Sequence, residues 1–237
     1  MKPILGAALL FVSSASWSQR TVDVTSGDVN AMGLFTAVGG EPIVMAKFVK
    51  LVEGTYYFKD DWMKGIIVMP NGQEHKNFSV KLDLYNNHVH YLDEKAGELI
   101  ANNLIREVIL IDEAFGINYR FIHSSALGNI IGIKEGWYQW LHSGKSASLY
   151  KFFNKKLTET KPYGSATFEQ SISTIPQYLV LHNNSLLEIK KPKDAPSVLA
   201  NKKAELEIFL KSKDSKDAAM DIRMTALIIY YNSLLAD

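Results

Sequence analysis

The chain has 237 residues, no cysteine, and 26 basic against 25 acidic side chains, for a formal net charge of +1. That balance offers no basic surface to a nucleic-acid backbone and no strong field to a charged polymer. Without cysteine there is no disulfide, no thiolate metal site and no cysteine nucleophile, so the fold rests on its hydrophobic core; a chain of about 220 residues buries roughly 70% of its extended surface, which suffices.

The first residues read "MKPILGAALLFVSSASWSQR". Lys2 supplies a positive start, and Ile4 to Val12 form an apolar run of signal-peptide length, too short to span a bilayer as a helix. Ser16 and Ser18 are the small residues wanted at −3 and −1 of a cleavage site. The expectation is a signal peptide over residues 1–18 and a periplasmic or secreted mature protein. With no cysteine after the leader, no lipid anchor is expected, and no later stretch has the length and apolarity of a membrane helix.

Residues 19–190 read as a β-rich body made of short strands. In "KGIIVMPNGQEHKNFSVKLDLYNNHVHYL", Asn71-Gly72 is a strong hairpin signal, because both residues tolerate positive φ. Phe78, Val80, Leu82 and Leu84 then alternate with Ser79, Lys81 and Asp83, a strand with one buried face. Asn86-Asn87 breaks the run before "HVHYL". Asp60, Asp61 and Trp62 read as a turn, since adjacent carboxylates on an extended chain point opposite ways and cannot flank one bond. Turn signals recur every ten or so residues, favouring an antiparallel meander, roll or barrel-like body.

His88 and His90 are the metal candidates, because residues i and i+2 of a strand point the same way, so that both imidazoles can reach one ion; the alternative is a solvated strand face, since two histidines alone do not make a site. Asp83, Asp93 and Glu94 are near in sequence; His75, His123, His142 and His182 are isolated.

"YQWLHSGKSASLYK" contains Gly-Lys-Ser and a Ser148-x-x-Lys151 pair. A phosphate-binding loop needs a glycine where Gln139 stands, and a helix after Ser146 where the pattern reads strand. A Ser-Lys acylase needs a Lys-Thr-Gly element that the chain lacks. A hairpin with Gly144-Lys145 as a two-residue turn accounts for the residues instead. It places Trp140 opposite Leu149, with Tyr138, Trp140, His142 and Leu149 on one face and Trp137, Leu141, Tyr150 and Phe152 on the other. Tyr138, Trp140, His142 and Tyr150 are the candidate ligand-binding aromatics, should one face be open.

Residues 191–237 read as a helical hairpin packed on the body. Pro196 suits a first helical turn. Leu199, Leu206, Phe209 and Leu210 form one stripe; Met220, Met224, Leu227, Ile228, Tyr231 and Leu235 form a second at spacings of three and four. Ser215 or Asp217 is the expected N-cap of the second helix.

"YYFKDDWMKGIIVMPNGQEHKNFSVKLDLYNNHVHYL", then "LIREVIL" and "YQWLHSGKSASLYK", resemble a widespread family of exported Gram-negative bacterial proteins with no assigned activity. The likeness lies in Trp62-x-x-Gly65, the Asn-Gly hairpin, the "LDLYNN" strand end and the aromatic hairpin, and "KKAELEIFLKS…LIIYYNSL" resembles the family's helical tail. The resemblance implies a β-rich exported protein with C-terminal helices and carries over no catalytic residue. The expected function is a non-enzymatic envelope protein binding a protein or glycan, without cofactor; the alternative is a hydrolase of an envelope polymer.

Overall fold

The computed structural model describes residues 29–43, 48–93, 95, 97–212 and 218–236. The expected leader, Glu94 and the suggested caps Ser215 and Asp217 lie outside them. In chain order the elements are α1 (Val29–Val38), β1 (Glu41–Pro42), β2 (Val49–Glu53), β3 (Met63–Val68), β4 (Glu74–Leu82), β5 (Val89–Asp93), β6 (Gly97–Ile100), β7 (Glu107–Asp112), β8 (Ile117–His123), β9 (Trp137–His142), β10 (Ser148–Thr160), β11 (Phe168–His182), β12 (Ser185–Glu188), α2 (Ala195–Val198), α3 (Lys203–Ser212) and α4 (Met220–Ser233).

The protein is mainly β, with helices at its C-terminus. Among the described residues twelve strands form one open, mixed sheet, eleven of them in the order β1-β6-β5-β4-β3-β7-β8-β9-β10-β11-β12, with β2 joining on β11. It consists of two antiparallel meanders, β3 to β6 and β7 to β12, fused where β3 pairs with β7. β10 occupies one side of β11 along its length; the other side is shared by β12 and, in parallel, β2.

The Asn-Gly hairpin forms as a three-residue loop, Pro70-Asn71-Gly72. Gly72 N–H donates to Met69 O at 2.9 Å, and Gly72 takes φ +86°. The Asn71 side chain accepts from Gln73 N–H at 2.9 Å. In β4, Val80 and Leu82 are fully buried, as alternation predicts; a bulge at Asn77 (φ +66°) then resets the alternation and buries His75.

Three sequence expectations are corrected. First, Val29–Val38, read as strand, is helix α1, and its Leu34 and Val38 pack with Ile67, Val80, Leu82, Tyr91 and Phe121 in the largest core. Second, the β9–β10 connection is no two-residue turn: the strands end at His142 and begin at Ser148, and Gly144 is not in the positive-φ region. Leu149 pairs with His142, but Tyr150 pairs with Trp140 and Phe152 with Tyr138, because the register slips between Leu149 and Tyr150. Tyr138, Trp140, Tyr150 and Phe152 therefore share a face with Ile122, Ile130 and Leu186, while Leu141 and Leu149 meet the C-terminal helices. Third, α4 has Ala219 at its N-cap with no side-chain hydrogen bond.

The tail lies on the sheet. Met224, Leu227, Ile228 and Tyr231 of α4 are fully buried, together with Leu199 and Leu206, against Leu149, Tyr178 and Val180. Asp221 pins the start of α4: Lys151 Nζ donates to its two oxygens at 2.8 and 2.9 Å, and the Tyr178 hydroxyl donates to it as well.

Candidate functional site

Lys151 is committed to Asp221, and Ser148 Oγ accepts a long contact, 3.4 Å, from Gly144 N–H and hydrogen-bonds with the Tyr150 side chain. The Ser-x-x-Lys pair is thus part of the seat of α4. Asp60 accepts from the Thr55 hydroxyl within its own turn.

The aromatic candidates form a ladder. Tyr138 and Tyr150 are buried and meet edge-on at 6.3 Å between centroids; Trp140 stacks on Tyr150 at 6.0 Å. Tyr138 donates to Lys134 O at 3.0 Å. The Arg120 guanidinium lies 4.2 Å from the Trp140 ring centre while forking onto the buried Glu107 carboxylate. His142 stands at the end of β9, across from Leu149. The ladder packs against itself and the Ile122, Ile130 and Leu186 cluster, with Tyr138 and Tyr150 buried and Trp140 and Phe152 partly buried.

The histidine candidates lie on β5 and the turn before it. Lys81 pairs with His90 and Leu82 with Val89 across β4 and β5, and Asp83 N–H then donates to His88 O at 2.9 Å. Directly opposed residues share a sheet face, so Asp83 joins His88 and His90 on the side away from the core that holds Val80, Leu82, Val89 and Tyr91. One ligating atom from each of Asp83, His88 and His90 lies within 4.8 Å of the others. His90 Nδ1 is 2.9 Å from Glu98 Oε1, and its Nε2 is 3.9 Å from Asp83 Oδ2. Asp83 was legible only as a neighbour in sequence; the turn at Asn87, φ +63°, swings it over the histidine pair.

A groove of about 310 Å³ opens elsewhere, lined among others by Asn87, Asn102, Asn103, His123 and Trp137 and, among the described residues, by no Asp, Glu, Lys or Arg. Trp137 is buried and donates its indole N–H to Asn87 O at 3.1 Å; the His123 ring sits edge-on to it at 5.0 Å. Ser125 N–H donates to His123 Nδ1 at 3.3 Å, and the same nitrogen lies 2.8 Å from Ser125 Oγ. Burial holds the His123 pKa below the usual imidazole value, against a smaller opposing pull from Glu135, so the ring is neutral at pH 7. Backbone N–H groups of Asn102 and Asn103 both donate to Val38 O, at 3.0 and 2.8 Å, hanging this wall on the end of α1. Gly39, φ +67°, makes room there, since a Cβ would fall 1.7 Å from Asn102 Oδ1.

In the sequence His123 stands isolated, and no motif marks Asn102 or Asn103. Their signal is weak because the groove draws on four separate stretches of chain. No family model, curated protein or solved structure matches the chain significantly.

Proposed function

We propose that the protein is an exported, non-enzymatic envelope protein that binds a neutral glycan in the groove bounded by Asn87, Asn102, Asn103, His123 and Trp137. The observation that carries this reading is the lining itself: three asparagines, a neutral imidazole and an indole, with no charged side chain. Asn103 Nδ2 already donates to Ala37 O at 2.8 Å and Asn102 Nδ2 reaches Glu41 Oε1 at 3.5 Å, so these two amides serve a ligand chiefly through their oxygens, which accept from sugar hydroxyls, and a lining without charge favours a ligand without charge. The signal-like start of the chain and its resemblance to exported proteins support the envelope as the setting. The lining has no pair of carboxylates to flank a glycosidic bond, which favours binding over hydrolysis.

The test is calorimetric titration with neutral and acidic oligosaccharides of the envelope. Neutral chains bind, acidic ones bind more weakly, and Asn102→Ala or His123→Ala lowers affinity about tenfold or more with the fold retained, consistent with roughly 1.4 kcal/mol for a lost polar contact. Product accumulating in the same samples would move the protein to the hydrolases.

A further inference from the structure

We propose that Asp83, His88 and His90 form a site for one divalent transition-metal ion of the zinc class, separate from the groove. The two lie on opposite faces of β5: Val89 lines the groove, and His88 and His90 point the other way.

His90 is the central residue of this site. It is 4% exposed, and its Nε2 is buried without a hydrogen-bond partner. Buried polar nitrogens are almost always paired, so this one requires an explanation. Its orientation supplies one. Glu98 accepts from Nδ1 at 2.9 Å, and that fixes the tautomer with a bare lone pair on Nε2. The lone pair is aimed at Asp83 Oδ2, 3.9 Å away. A carboxylate holding the far nitrogen of a histidine is the usual outer support of a metal ligand. The Tyr57 hydroxyl bonds to the same Glu98, and its ring packs edge-on against His90 at 5.2 Å.

Asp83 is held just as firmly. Its Oδ1 accepts from Tyr85 and Asn86 N–H at 2.9 and 2.8 Å, and its Oδ2 accepts from Asn86 Nδ2 at 2.8 Å. Among the described residues no Lys or Arg forms an ion pair with it. Lys81, directly across from His90, lies instead over the Tyr57 and Trp62 rings, 5.0 and 4.9 Å from their centres.

Tetrahedral ligands at about 2.0 Å from zinc stand roughly 3.3 Å apart, so the 3.9 Å gap between Asp83 and His90 closes by small side-chain shifts. Two imidazoles and one carboxylate suit zinc, copper, nickel or cobalt, whereas calcium and magnesium require more oxygen. His88 is exposed, so the fourth position faces solvent and takes water.

The experiment uses the metal-free full chain, titrated with Zn(II) alone by calorimetry and against a chromophoric chelator. One ion binds per chain; Ca(II) and Mg(II) do not compete. His88→Ala and Asp83→Ala weaken binding a hundredfold or more, and Glu98→Gln weakens it about ten- to a hundredfold while leaving the ligands in place. Co(II) gives visible tetrahedral bands that His88→Ala abolishes. His90→Ala risks the fold; His88, exposed, does not, and it carries the test if His90→Ala is unstable. Absence of one-to-one binding overturns the proposal, as does undiminished affinity in both His88→Ala and Glu98→Gln.

Discussion

At the scale of residues, Asn232 shows how a glycine earns its place without positive φ. Its side-chain oxygen accepts from Ser146 and Ala147 N–H, both at 3.0 Å, and its nitrogen donates to Ala147 O and Ile228 O, both at 2.9 Å. Gly144 makes room for this amide: a Cβ would sit 2.2 Å from Asn232 Nδ2. Gly144→Ala should therefore cost about 1–3 kcal/mol in urea unfolding by overpacking, and Asn232→Ala a similar amount by leaving buried N–H groups unpaired. The two acting on one contact, the double variant should lose less than the sum. A short-range reading sees the glycine but not a partner from α4, which is why it assigned Gly144 to a tight turn. His123 gives a pH prediction. Its folded pKa lies below the unfolded value, so the unfolded chain binds the proton more readily in acid. Its contribution to stability is complete above the unfolded pKa, about 6.5, and declines as pH falls toward the folded pKa. Melting temperatures across pH 7.5 to 5 should fall less in His123→Gln than in the wild type.

Among the elements, α4 was legible because Met224, Leu227, Ile228 and Tyr231 recur at spacings of three and four, and all four are buried. Leu227→Ala should cost about 2–5 kcal/mol, and Leu227→Asp more, since the carboxylate would be buried unpaired; equilibrium denaturation reads both. Helix α1, "VNAMGLFTAV", was not legible: it has no charged side chain to mark an outer face, so its apolar run fits a strand as well. The β9–β10 pair was legible as a hairpin but not in register. The slip between Leu149 and Tyr150 regroups Tyr150 with Trp140, and such bulges leave no mark in alternation counted from a presumed turn.

On the scale of the whole molecule, local signals found most strands, but the join between β3 and β7, which turns two meanders into one sheet, links distant segments that no turn motif connects. The groove belongs to this level too, and so it escaped motif reading. The tail completes a core it shares with Leu149, Tyr178 and Val180, so deleting Ser197–Asp237 should lower the melting temperature of the sheet sharply; an unchanged transition would mean an independent tail. The glycan reading is tested most directly by following amide and indole resonances of the isotopically labelled protein as a neutral envelope oligosaccharide is added. The account predicts saturable shifts at Asn87, Asn102, Asn103, His123 and the Trp137 indole N–H. Shifts centred on Tyr138, Trp140 and Tyr150, or none at millimolar ligand, would contradict it.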